Sequence, residues 1–183
     1  MAIHIPTRLT LPVSERDHIR GPAAAPVTLV EYGDYECPYC GQAYPVVEAV
    51  RRQLGDTLRF VFRHFPLAQV HPHALHAAEA AEAAGAQGKF WEMHDTLFTH
   101  QDALDAPDLV GYAEALGLDT RKFRRALEED AFLGRIREDV VSGLESGVMG
   151  TPTFFINDVR YEGPYDYDTL LAVLQSVAEE SRQ

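Results

Sequence analysis

The chain has two cysteines, and they close the four-residue run Cys37-Pro38-Tyr39-Cys40. A disulfide across so short a loop adds little stability through chain entropy. A pair at this spacing is suited to redox exchange or to half of a metal site. Exchange needs one thiolate that attacks a disulfide and a second thiol that resolves the mixed disulfide. A free thiol has a pKa near ~8.5 and is mostly protonated at neutral pH. At a helix N-cap, unpaired backbone N–H groups and the positive end of the helix dipole favour a negative sulfur. Pro38 suits the first helical position, where its missing N–H costs nothing. Cys37 is therefore the expected nucleophile. Cys40, one turn on and on the same helix face, is the expected resolver and the less accessible of the two.

The neighbouring residues set expectations about activation. Glu36 directly precedes Cys37, and a like charge beside a thiolate raises its pKa; activation should be moderate. Tyr39 carries no charge near neutral pH, unlike a histidine at that place, which would stabilise the thiolate. Glu31 stands in the apolar run VTLVEY, where a carboxylate is costly to bury. It is expected to accept the proton of Cys40, or else to be exposed or paired with Arg59 or Arg63. His64 is a further candidate for tuning Cys40 or Glu31. His71, His73 and His76 form a dense cluster that could join the two thiols on zinc. A structural zinc site brings a second paired ligand set at defined spacing, however, and HPHALH is not one. No metal is expected, and His71 and His73 read as surface residues at a helix start. Phe90, Trp91 and Phe98, at helical spacing, read as core.

These residues need elements to hold them. Val27–Tyr32 is a short β-rich run suited to a strand buried on both faces. A helix is expected over 38–54 and a second strand over 58–65, which makes a βαβ unit with the cysteines at the strand-to-helix junction. From 72 to about 146 the sequence turns alanine-rich with helical period, in segments 72–86, 88–99, 106–116, 119–129 and 131–146. A hairpin is expected over 153–156 and 159–162, turning at Asn157-Asp158, and a last helix over 167–180, capped by Asp166. Residues 1–26, punctuated by prolines, are expected to be irregular or weakly extended.

At 183 residues, 46% hydrophobic and 24% charged, the chain suits one domain carrying a large insertion. Its net charge of −12 disfavours nucleic acid and anionic membrane surfaces as partners. The N-terminal residues show no apolar run behind a basic start, and no stretch is long and apolar enough to span a membrane. A cytoplasmic location is the expectation.

The runs VTLVEYGDYECPYCG, FRHFPL, FWEMHDTLF and GVMGTPTFFIN resemble segments of DsbA-family thiol–disulfide oxidoreductases, a branch of the thioredoxin superfamily. The resemblance spans about residues 14–178. It implies an α/β thioredoxin-like fold: a central mixed β-sheet of four to five strands with an inserted helical subdomain. The expected division is an N-terminal extended segment 1–20, a thioredoxin-like domain from 21–65 and 149–183, and the insertion 66–148. It also implies that Pro152 is cis and lies against the disulfide, that the backbone of Thr151 pairs with an incoming peptide strand, and that Glu31 holds the place of a buried acid. Protein or peptide thiols and disulfides are then the partners, with glutathione or a thioredoxin system as electron donor or acceptor and no organic cofactor. Two departures leave the direction of electron flow open. The dipeptide between the cysteines is Pro-Tyr, as in glutaredoxins, and a threonine precedes Pro152, as in isomerase-type members. Three alternatives stay beside this reading: a glutathione-linked small-molecule reductase or isomerase, a peptide binder, and a metal-binding protein. Kappa glutathione transferases share the inserted architecture but typically have serine in place of the nucleophilic cysteine.

Overall fold

A computed structural model of the chain describes residues 7–181. It divides into two compact units.

The first unit takes the described residues up to 33, with 42–63 and those from 141 onward. Its centre is a mixed five-stranded sheet in the order β1-β3-β2-β4-β5. The strands are β1 (His18–Arg20), β2 (Val27–Gly33), β3 (Leu58–His64), β4 (Thr153–Ile156) and β5 (Val159–Tyr161). All seven residues of β2 are buried, which is why its sequence is a nearly continuous apolar run instead of an alternating one. β4 pairs with it antiparallel, setting Glu31 opposite Phe154 and Tyr32 opposite Thr153. The β4–β5 turn has positive φ at Asn157 (46°) and Asp158 (67°), the backbone of a type I′ hairpin. Asn157 serves twice, because its Oδ1 also accepts the Thr28 N–H at 2.8 Å. Helix α1 (Pro38–Leu54) joins β2 to β3, and α7 (Tyr167–Glu180) starts where the Asp166 carboxylate accepts the Thr169 N–H at 3.1 Å.

Two expectations change in this unit. The segment before residue 21 is not merely extended: His18–Arg20 form an edge strand antiparallel to β3, while residues 1–6 lie outside those described. Arg63, a possible partner for Glu31, is fully buried and directs all five donors elsewhere. They go to both Asp17 carboxylate oxygens (2.8 and 3.1 Å), the Tyr32 hydroxyl and the carbonyls of Leu11 and Pro12. The guanidinium thus stitches the N-terminal segment to β3. Burial opposes the Asp17 charge, yet the Arg63 and Ser14 hydrogen bonds hold its pKa below the usual carboxylate value.

The second unit takes residues 34–41 and 64–140. It holds α2 (Ala74–Gly85), α3 (Phe90–Thr99), α4 (Ala106–Ala115), α5 (Thr120–Glu128) and most of α6 (Leu133–Glu145). Asp105 and Asp119 cap α4 and α5 with their carboxylates. α2 is buried nearly all round, and its alanines allow helices to approach closely. Phe90, Met93, Leu97, Phe98, Leu109 and Phe123 fill the space between.

The boundary expected at 66–148 is displaced. Residues 34–41, which include both cysteines, join the helical unit, and the chain beyond 140 returns to the sheet unit. The cause is local bonding, since 34–37 is tied to 67–73 and to Gln101. Among the described residues, no helix is long and apolar enough to cross a membrane.

Candidate active site

Helix α1 begins at Pro38, which makes Cys37 its N-cap residue. The Cys37 N–H donates back to the Asp34 carbonyl at 3.1 Å, and its own carbonyl accepts the first helical bond from Gly41 N–H at 3.0 Å. Cys40 lies in the first turn, and its Sγ accepts the Asp34 N–H at 3.5 Å. Both residues are free cysteines. Cys40 is fully enclosed and Cys37 is 3% exposed, so the expected order of access holds by a narrow margin. Pro38 and Tyr39, the latter at 61%, are the side chains of the run that face water.

The turn before α1 is built on two acids. The buried Asp34 carboxylate accepts the Glu36 N–H (2.8 Å), the Leu67 N–H (2.9 Å) and the His71 Nδ1–H (2.8 Å). The Glu36 carboxylate accepts the His73 backbone N–H at 2.6 Å and its Nδ1–H at 3.0 Å. Burial opposes a charge on His71, but the hydrogen bond to Asp34 and the attraction of Asp34, the Cys37 sulfur and Glu36 raise its pKa above the ordinary imidazole value. Glu36, the residue directly before Cys37, thus turns its carboxylate toward His73.

The helical unit supplies further supports. Gln101 donates its Nε2 hydrogens to the Tyr35 and Cys37 carbonyls, each at 2.9 Å. The Tyr35 hydroxyl meets His94 Nδ1 at 3.0 Å, and the Tyr35 ring packs on Phe98 with centroids 4.8 Å apart. Phe90 and Phe98 are buried, the core role expected of them, and Trp91 packs edge-on against Phe90 and His94. His64, the candidate for tuning Cys40 or Glu31, is buried, with its Nε2 held by Glu82 of α2 at 2.8 Å.

The remaining sequence-derived residues belong to the sheet unit. Glu31 is 2% exposed in β2. The Thr151–Pro152 peptide bond is cis and immediately precedes β4. Beyond it a cavity of about 290 Å³ is lined by Pro152, Phe154, Arg160, Tyr161, Glu162 and Tyr165, among others.

Sequence reasoning missed Asp34 and Gln101, and it missed the pairing of His71 and His73 with the turn. One signal for that pairing was available: two acids spaced by two (34, 36) and two histidines spaced by two (71, 73) pair in order. Nothing in the sequence marks Gln101, which stands in a loop more than sixty residues away.

The chain matches a family model described as thioredoxin over residues 13–176. It is 54% identical over 177 residues to a Na(+)/H(+) antiporter NhaA 3 from Salinispora tropica, a match covering 95% of this chain and 27% of that protein. The chain thus spans about a quarter of the length of the curated relatives it matches. Among solved structures it is similar to oxidised BdbD from Bacillus subtilis (TM-score 0.82, 22% identity, 95% of this chain and 99% of that one). A thioredoxin-like oxidoreductase from Silicibacter pomeroyi is also similar (TM-score 0.78, 27% identity, 92% and 94%).

Proposed function

We propose that this chain, which belongs to the thioredoxin family, is a thiol–disulfide oxidoreductase that exchanges disulfides with protein or peptide substrates through Cys37 and Cys40. The observation that carries this reading is the placement of both sulfurs at one helix start: Cys37 as N-cap and Cys40 within the first turn, receiving a backbone N–H. The N-terminal end of α1 favours negative charge on Cys37. The oxidoreductase name of the Silicibacter pomeroyi structure agrees with it.

In the reducing direction, the Cys37 thiolate attacks one sulfur of a substrate disulfide. The substrate S–S bond breaks, a mixed disulfide forms, and the departing substrate thiolate takes a proton from solvent. Cys40 then gives its proton to a base, water or the Glu31 carboxylate, and attacks the Cys37 sulfur. The Cys37–Cys40 disulfide forms and the second substrate thiol leaves, so two electrons have passed from protein to substrate. Oxidation of a substrate dithiol runs the same steps backwards. On this reading the Thr151 backbone, before the cis proline, pairs with the incoming peptide strand. Glutathione or a thioredoxin system is the class of partner that resets the pair.

Single substitutions test the assignment. Cys37→Ser should abolish exchange, and Cys40→Ser should accumulate mixed disulfides with substrate, read by non-reducing electrophoresis and intact mass. Full turnover by Cys37→Ser with a dithiol donor would refute the roles of nucleophile and resolver assigned to the two cysteines.

A further inference from the structure

We propose that His71, held by Asp34, provides the positive charge that stabilises the Cys37 thiolate, a task Tyr39 cannot perform from within the Cys37–Cys40 run. The inference rests on the redox reading above and adds a positioning residue outside the motif. Its geometric basis is one continuous network. Asp34 binds the His71 Nδ1–H at 2.8 Å, its backbone carbonyl holds the Cys37 N–H, and its backbone N–H reaches the Cys40 sulfur. Because a carboxylate only accepts, the Nδ1 of His71 must carry the proton. The imidazole is thereby fixed on the same short turn that carries both thiols.

The titratable groups acting on His71 are Asp34, Cys37 and Glu36. Asp34 is occupied by three donors, and Glu36 is turned to His73. The attraction between His71 and the Cys37 sulfur is reciprocal: a thiolate that favours the imidazolium is favoured by it to the same extent. A protonated His71 therefore stabilises the reduced protein relative to its disulfide, which makes the centre more oxidising. The folded pKa of His71 is raised, so the stabilisation acts where Cys37 is ionised while His71 still holds its proton, and it fades as pH rises through the His71 value.

Two measurements on the full chain test this. His71→Asn keeps a side-chain N–H for Asp34 and removes the charge. Thiolate absorbance near 240 nm, followed against pH in the reduced protein, should show the first thiol titrating about one pH unit higher in the variant, a tenfold change. The glutathione equilibrium should move toward the protein disulfide by up to a similar factor. The second measurement needs no substitution. The His71 imidazole, titrated by NMR in the unaltered protein, should have a lower pKa in the disulfide form, where no thiolate remains. An unmoved thiol midpoint in His71→Asn, or equal His71 titrations in the two redox states, with the disulfide still forming reversibly, would overturn this inference alone. Failure of the unaltered protein to form a reversible disulfide would instead bring down the redox reading and this inference with it.

Discussion

Single residues in this protein are decided by what burial does to their charge. Glu79 of α2 is fully buried, and neither carboxylate oxygen has a hydrogen-bond partner among the described residues. Burial, with repulsion from Asp130, pushes its pKa up to about 7 from an ordinary 4.5. Between those values the folded protein keeps a proton that the unfolded chain has released, so stability falls as pH rises across the window. The full effect is at most about 3 to 4 kcal/mol, from roughly 1.4 kcal/mol per pH unit. Glu79→Gln should be close to neutral at pH 5 and stabilising by about 2 kcal/mol at pH 8, measured by urea denaturation at both values. Equal effects at both pH values would show that Glu79 does not change charge in the fold. The same logic explains which site residues were legible. Cys37, Cys40 and Pro38 announce themselves by chemistry and spacing, whereas His71 looks like any surface histidine until Asp34 is found beside it.

At the scale of elements, the first turn of α1 is held from outside as well as from within. A Cβ on Gly41 would run into the Gln101 side-chain amide that binds the Tyr35 and Cys37 carbonyls. Alanine is about 1 kcal/mol better than glycine in a helix, but displacing Gln101 forfeits two hydrogen bonds of about 1 kcal/mol each. Gly41→Ala should therefore destabilise by about 1 kcal/mol in the natural background and turn neutral or stabilising in Gln101→Ala. A double-mutant cycle on denaturation midpoints measures the coupling; additive effects would mean that Gln101 does not brace this turn. Helix positions were legible because period and caps are local: α1 and α7 fall where expected, and α2 to α6 within about two residues. β1 was not legible, since three residues carry too little pattern and its strand character comes from pairing with β3. The turn at Asn157-Asp158 was legible as a turn, while the bond that Thr28 N–H donates to the Asn157 side chain, from a strand more than a hundred residues away in sequence, was not.

For the whole molecule, the sequence order of elements indicated one sheet interrupted by helices, and the resemblance carried by the Cys37–Cys40 run and Thr151-Pro152 is what made it thioredoxin-like. It did not reveal the division between the units, because that depends on which unit residues 34–41 bind. Those residues follow β2 in sequence but are bonded to Leu67, His71, His73 and Gln101. The turn that carries both cysteines is thus shaped by loops of the helical unit, ahead of α2 and between α3 and α4. On the proposed reading, Cys37 and Cys40 cycle between dithiol and disulfide on that turn. The most direct test equilibrates the purified chain in graded reduced and oxidised glutathione, quenches it with acid, and counts free thiols by alkylation and intact mass. The expected result is one reversible two-electron transition, with Cys37 and Cys40 both alkylated at the reducing end and joined to each other at the oxidising end. Two cysteines that stay free, or that take up glutathione separately without ever joining, would contradict a redox role for the pair.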